Sequence, residues 1–313
     1  MHRLGFILSE GFQLMALSTQ AVFEFANLVT EEQFYDFACY SVTGGDVMSS
    51  SGVRVSTRPL ASCTQADTWL VTGASDPIVA PAKTQALKFL RRAGRHARRI
   101  AGLCTGGFAL AEAGLLNGRR ATTHWLFARD MQARHPEVHV DDDRIFIVDG
   151  PLWTSAGMTA ALDLALAMVE ADLGGDVARA VAHKLVMPQR RTGGQSQHSE
   201  LLELAPKTDR IQQALDYARA HLKQALSVED LAGVANLSPR QFSRVFTAET
   251  GQSPAKAIEG LRLEAARLMI EQSRHPLEVV ARESGFRDRR HLREVFVRNF
   301  GVPPQLTRRG ARS

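Results

Sequence analysis

Cysteine is scarce in this chain, metal-ligand spacing is missing, and no apolar run is long enough to cross a bilayer. Three cysteines, Cys39, Cys63 and Cys104, stand far apart among 313 residues. An odd, scattered set excludes a disulfide framework and suits free thiols in a reducing cytoplasm. The histidines show no HExxH-like spacing, and neither Gly-rich stretch, TGGQS nor CTGGF, follows a phosphate-loop pattern. The acidic run VDDDR, residues 140–144, reads as a solvated turn before a strand. No metal and no cofactor is therefore expected. The best candidate for a span, ALDLALAMVEADL, is broken by Asp163, Glu170 and Asp172, far short of the ~20 apolar residues a membrane helix needs. The opening MHRLGFILSEGF has too short an apolar run before Ser9 and Glu10 to act as a secretory signal. A cytoplasmic protein with no membrane partner is the expectation.

What is present is an ordinary globular composition, 44% hydrophobic and 23% charged, over a length that suits two domains with their own cores. The net charge of +5 is unevenly placed. From Thr208 onward there are 18 Lys and Arg against 12 Asp and Glu, a surplus of six, so the first 207 residues carry a net −1. A basic segment joined to a near-neutral one points to a polyanion partner for the basic part.

Residues 1–186 alternate strand-like and helix-like segments. RLGFILS and TWLVTG are short β-type runs, and APAKTQALKFLRRAGRHA has helical periodicity. The stretch RIAGLCTGGFALAEAGLLNG reads as a buried strand that stops at Cys104 and turns at once into a helix closed by glycine. RIFIVDGPLWTS predicts a hairpin around Asp149-Gly150, and TAALDLALAMVEADLGG a largely buried helix. Alternating elements imply an α/β domain with a mainly parallel sheet between helices. Residues 187–207, rich in Pro, Gly, Ser and Gln with no sustained apolar face, read as a linker.

Residues 208–313 read as all-α, and they repeat. Val228, Leu231, Ala232 and Leu237 match Leu277, Val280, Ala281 and Phe286 at an offset of 49. Phe242, Phe246, Gly251 and Pro254 match Leu292, Phe296, Gly301 and Pro304 at an offset of 50. Each copy is a short helix, a tight turn and a second helix. In the first copy Ser238 sits at an N-cap position with Pro239 behind it, and Ser238 is itself expected among the DNA-binding residues. Phe242 and Phe246 bury one stripe, which leaves Arg240, Gln241 and Arg244 exposed near the N-terminus of the second helix. In the second copy Asp288 can cap, and Arg287, Arg289, Arg290 and Arg293 are left outside. A helix-turn-helix inserts the N-terminal part of its second helix into the major groove. Arg pairs there with guanine and Gln with adenine. The helix between the copies, PAKAIEGLRLEAARLMIEQS, is long enough to hold two such heads about one DNA turn apart, ~34 Å. The segment resembles the AraC/XylS class of bacterial regulators over residues 209–309, most clearly in ESGFRDRRHLREVFVRNFGVPPQLTRR. That resemblance implies a transcription factor, usually an activator, with promoter DNA as partner.

The N-terminal segment resembles the DJ-1/PfpI superfamily, the flavodoxin-like, class I glutamine amidotransferase-like fold. The matching pieces are GFQLM, LVTGA, GLCTGG, RATTHW and TSAGMTAALDLAL. In enzymes of that superfamily the elbow cysteine attacks a substrate, so the resemblance places Cys104 there, His124 near it, and backbone N–H groups of Gly73, Ala74 and Thr105 in an anion cradle. It also places a carboxylate just after the first strand, where this chain has Ala16, and Ala cannot move a proton. Catalysis by Cys104 is therefore not expected; a cysteine-dependent hydrolase, isomerase or hydratase is the rival. The two resemblances together match GlxA-type transcriptional regulators. They imply that the old cleft, lined by Gly73, Ala74, Cys104, Thr105, His124 and Trp125, senses a small metabolite such as an amino acid or quaternary amine derivative. Trp125 and Trp153 would suit a cation as aromatic walls. Dimerisation is expected through the α/β domain, since nothing in the linker or the helical part looks like a zipper.

Overall fold

The computed structural model describes residues 1–62, 66–187, 191, 193, 197, 208–273, 275–300 and 302–310. Cys63, Gly301 and most of the segment 187–207 lie outside the described residues. The chain forms two compact units that divide between Gln197 and His198.

In the first unit the strands are β1 His2–Ile7, β2 Tyr35–Ser41, β3 Gly45–Met48, β4 Arg54–Pro59, β5 Thr68–Val71, β6 Arg99–Gly102, β7 Arg120–Ala121, β8 His139–Val140, β9 Phe146–Asp149 and β10 Leu152–Ser155. The helices are α1 Thr19–Thr30, α2 Thr84–Ala93, α3 Gly106–Glu112, α4 Trp125–Arg134, α5 Met158–Leu173 and α6 Gly175–Lys184. Eight strands make one sheet in the order β3-β4-β2-β1-β5-β6-β10-β9. All pairings from β4 to β10 are parallel, and the antiparallel β3 and β9 close the two edges. The Asp149-Gly150 pair turns β9 into β10 as its sequence implies, with Gly150 at φ 58°.

The central strands TWLV, RIAG and LWTS are buried along their whole length, which is what a parallel sheet covered on both faces requires. Strand alternation sorts their side chains. Leu70, Ala101 and Trp153 pack with α1, α5 and α6, whereas Trp69, Val71, Ile100 and Leu152 pack with α2 and α3. Trp153 is therefore core, stacked 5.5 Å from the Arg99 guanidinium. The helix after Cys104 is shorter than its sequence suggests. It stops at Glu112, and two left-handed glycines, Gly114 and Gly118, turn the chain before β7.

Two buried carboxylates fix the frame. Asp172 accepts from the Tyr35 hydroxyl at 2.9 Å, ion-pairs with the buried Arg99, and has Arg98 Nη2 2.9 Å from its other oxygen, off hydrogen-bonding angle. Asp163 on α5 has no exposed side-chain surface, and its partner comes from the segment expected as linker. Arg191 donates its backbone N–H at 2.9 Å and its Nε at 2.8 Å to the two Asp163 oxygens. A Cβ on Gly193 would fall 2.6 Å from the Phe146 carbonyl oxygen. The first unit thus extends beyond residue 186 and takes in Arg191, Gly193 and Gln197. The anchoring is polar, so the lack of an apolar face gave no sign of it.

The second unit is helical: α7 Asp209–Ala220, α8 Val228–Val234, α9 Pro239–Thr250, α10 Pro254–Gln272, α11 Leu277–Glu283, α12 Arg289–Phe300 and α13 Pro304–Gly310. It holds two cores that follow the repeat. Ile211, Leu215, Leu231, Phe242 and Phe246 form one; Leu277, Val280, Phe286, Leu292 and Phe296 form the other. Helix α10 serves both, giving Ala257, Ile258 and Leu261 to the first and Leu263, Ala266 and Ile270 to the second. At ~1.5 Å per residue its 19 residues span about 28 Å. The loop after α7 abuts the turn of the second copy. Arg262 donates to the carbonyls of Leu222 at 3.2 Å and Gln224 at 2.7 Å, and a Cβ on Gly285, at φ 80°, would fall 1.8 Å from the Leu222 oxygen. Only glycine fits there. Among the described residues no helix is long and apolar enough to cross a membrane.

Candidate functional site

Cys104 lies between β6 and α3 at φ 54°, a left-handed conformation that costs a non-glycine residue energy and persists only where the surroundings impose it. They do so through glycine. A Cβ on Gly106 would lie 2.1 Å from the Val71 oxygen, and one on Gly73 would lie 1.9 Å from Thr105 Oγ1. The turn after β5 and the elbow are thus pressed together, and Thr105 Oγ1 donates to the Ala74 carbonyl at 2.6 Å. Cys104 donates its N–H to Ser155 Oγ at 3.4 Å, and its carbonyl accepts from Thr123 Oγ1 at 3.1 Å.

The elbow geometry of a nucleophile is kept, but its electrostatics are not. Cys104 is 2% exposed. Burial pushes its thiol up to about 11, and the hydrogen bonds from Thr105 only partly oppose this. A helix start favours a thiolate, but here desolvation outweighs what a short helix supplies and favours the neutral thiol. Ala16 is fully buried in the turn Leu14–Ser18 where the resemblance places a carboxylate. His124 serves as the N-cap of α4, its Nδ1 accepting from the Leu126 N–H at 3.3 Å, and burial holds its pKa below the usual imidazole value. No hydrogen bond joins His124 to Cys104 among the described residues.

Gln197 closes this corner. Its Nε2 lies 3.0 Å from Thr122 Oγ1, 2.9 Å from the Thr123 carbonyl and 3.0 Å from the Arg144 carbonyl, while its Oε1 accepts from the Trp125 N–H at 2.9 Å. Its own N–H donates to the Asp143 carbonyl at 2.7 Å. The last residue of the first unit is therefore fastened to both neighbours of His124, Thr123 and Trp125, and Thr123 in turn holds the Cys104 carbonyl. Sequence gave no signal for it, since a lone Gln in a polar stretch carries no pattern.

An open cavity of about 130 Å³ lies on the other side of the elbow. Gly73, Ala74 and Thr105 line it; Cys104, His124 and Trp125 do not. The six residues expected in one ligand pocket are thus divided: Thr105 turns to Ala74 at the cavity wall, while the Cys104 backbone is held by Ser155 and Thr123. The floor is apolar, with Val71, Leu90 and Phe108, and Glu10, Asp46, Lys83 and Glu112 stand around it. Glu112 also accepts from the Ala82 N–H at 3.1 Å, and burial raises its carboxyl above the ordinary value. None of these charged residues was singled out from the sequence. Trp125 is half exposed, on the N-terminal turn of α4.

In the second unit Ser238 and Gln241 form a reciprocal capping box at the start of α9, with Pro239 behind. Gln241 Oε1 accepts from Ser238 Oγ at 2.9 Å. Gln241 was expected to face DNA; the cap holds its oxygen, so a bidentate adenine contact would first have to break the box. Arg240 and Arg244 are exposed one turn apart, opposite the buried Phe242 and Phe246, and form no ion pair among the described residues. At α12 Asp288 accepts from the His291 N–H at 2.7 Å, and Arg287, Arg289, Arg290 and Arg293 are all exposed. Three of these four hold carboxylates: Arg287 with Asp288 at 3.2 Å, Arg289 with Glu278 at 2.9 Å and Arg290 with Glu294 at 2.9 Å.

A Cys-bearing elbow in a parallel sheet, joined to two arginine-faced helix-turn-helix units, defines a class of DNA-binding regulator built on an enzyme-type α/β fold. Residues 6–171 match the DJ-1/PfpI family and residues 231–310 a helix-turn-helix domain. The chain belongs to the DJ-1/PfpI family, in its branch of HTH-type transcriptional regulators. It is 31% identical over 320 residues to the HTH-type transcriptional regulator GlxA of Rhizobium meliloti, covering 98% of this chain and 95% of that one. It is 27% identical over 309 residues to the HTH-type transcriptional regulator GbdR of Pseudomonas aeruginosa, covering 98% and 84%. Its fold is similar to the crystal structure of an AraC family transcriptional regulator from Pseudomonas putida, with a TM-score of 0.54 at 24% identity over 59% of this chain and 100% of that one. The protein is a DNA-binding transcriptional regulator.

Proposed function

We propose that this regulator is switched by a small metabolite held in the cavity beside the elbow, and that Cys104 does not turn substrate over. The observation that carries the first part is the cavity, an apolar pocket of about 130 Å³ with Glu10, Asp46, Glu112 and Lys83 around it. Three carboxylates and one ammonium favour a compound with an amine or quaternary ammonium group and a short apolar body, such as an amino acid or quaternary amine derivative. The second part is supported by the raised thiol, the buried Ala16 and the use of His124 as a helix cap. Occupancy acts by favouring one arrangement of the chain over another. A homodimer through the α/β unit, activation of transcription and a cytoplasmic location complete the proposal.

The test is a thermal-shift screen of the full chain against amino acids, betaines and polyamines, since a ligand that binds only the folded state raises the melting temperature. A saturable rise is expected, lost in Glu112→Gln and kept in Cys104→Ala, with the same compound altering a mobility shift on the chain's own upstream DNA. A rise lost in Cys104→Ala but kept in Glu112→Gln would move the ligand to the other side of the elbow. Cys104-dependent turnover of any compound would replace the sensor reading with the enzymatic one.

A further inference from the structure

The two reading helices differ at one position in the sign of their charge. With the cores aligned, Phe242 on Leu292 and Phe246 on Phe296, Arg240 corresponds to Arg290 and Arg244 corresponds to Glu294. Both positions lie four residues apart on the exposed side of their helices. In α9 the two arginines stand without ion pairs among the described residues. In α12 the Glu294 carboxylate accepts from Arg290 Nε at 2.9 Å, with side-chain exposures of 86% for Arg290 and 58% for Glu294.

A carboxylate on the reading face of a groove-inserting helix is unfavourable beside phosphates and carries no benefit to general DNA affinity. It gains there by accepting an N–H from a base edge, and the cytosine N4 amino group is the donor that Glu takes in the major groove. Its neighbour Arg290 keeps its terminal nitrogens for guanine O6 and N7. We propose that Glu294 is a specificity-determining residue: it makes the second half-site require a cytosine next to the guanine read by Arg290, and it lowers binding to unrelated duplex. The two half-sites then differ in sequence, one read by an Arg-Arg pair and the other by an Arg-Glu pair, so the operator has a direction. This rests on the DNA-reading role of α12 and adds to it.

The experiment is selection of binding sites from a randomised duplex library by the full chain, wild type and Glu294 variants, followed by titration on selected and random duplex. Glu294→Ala is expected to lose discrimination at one base pair, by roughly 5- to 100-fold, and to bind random duplex more tightly. Glu294→Gln is expected to move the preference at that base pair from cytosine toward adenine. Glu294→Arg, which copies Arg244, is expected to raise the salt dependence by about one phosphate contact. Because Glu294 is exposed, each variant keeps the wild-type melting temperature. Identical selected sites for wild type and Glu294→Ala, or an affinity change equal on all sequences, would overturn the proposal. Failure of the wild-type chain to select any site would instead overturn the reading role of the helices.

Discussion

Replacing Gln197 tests whether the last residue of the first unit is held by the bonds seen here. Two side-chain N–H groups serve three acceptor oxygens, and one N–H comes back from Trp125. Counting three hydrogen bonds at roughly 0.5–1.5 kcal/mol each, less roughly 1.5–2 kcal/mol of side-chain entropy recovered on release, Gln197→Ala costs about 1 kcal/mol. Gln197→Glu is the sharper change, because it keeps the shape and turns the donors into an acceptor. A carboxylate would then face two carbonyls. The Thr122 hydroxyl donates to the Arg144 oxygen at 2.9 Å and can serve only one acceptor well, so one carbonyl oxygen is left without a good donor, at roughly 1–3 kcal/mol. A total cost of roughly 1–3 kcal/mol follows. The opening is local, so the measurement is hydrogen exchange rather than global melting. The amide of residue 197 donates to the Asp143 carbonyl in every variant and reports the opening directly. Its protection factor is expected to fall roughly fivefold in the Ala variant and roughly 5- to 150-fold in the Glu variant at pH 7. It should recover on acidification, when the protonated acid regains a donor. Equal protection in Gln197→Glu and the wild type would refute the reasoning.

Asp172→Asn leaves the buried Arg99 without a counter-charge and is expected to cost roughly 3–5 kcal/mol, read as a fall in melting temperature of roughly 6–20 °C. Apolar replacement of both Asp172 and Arg99 should recover most of the loss. Cys104 should resist alkylation at pH 7 and react faster as pH rises toward about 11. With its folded pKa raised, its contribution to stability is full below the free-thiol value and is lost as pH rises through about 11; a rapid, pH-independent reaction in the folded state would contradict this. Ser238→Ala breaks the capping box of α9 and should cost roughly 0.5–2 kcal/mol, with weakened DNA retention by the first copy. Unchanged melting would show the cap to be idle.

The repeat in the second unit was legible because its cores are apolar and spaced at helical period. The offsets of 49 and 50 reappear as two separate clusters sharing α10. The parallel sheet was legible from TWLV and RIAG, whose unbroken burial needs no alternation. Three things escaped. The edge strand β3 and its neighbour β4 are largely exposed and polar, so they carry no strong pattern. Asp163 reads in sequence as an interruption of an apolar helix; in the fold it is the anchor for Arg191, twenty-eight residues on. The cavity wall escaped because Glu10, Asp46 and Glu112 come from a turn, the edge strand β3 and the end of α3, and no local spacing links them. Cys104 was legible as an elbow, but its high thiol pKa depends on burial that only the packed fold reveals.

The close approach of Gly285 to the Leu222 carbonyl has a consequence for promoters. Where backbone meets backbone there is no side chain to yield, so the paired helical modules behave as a caliper set to one opening. An operator with a single base pair inserted between its halves would turn the far half by about 34–36° around the duplex axis, and the caliper could not follow. Spacing between the halves is then as strict a requirement as the letters within them.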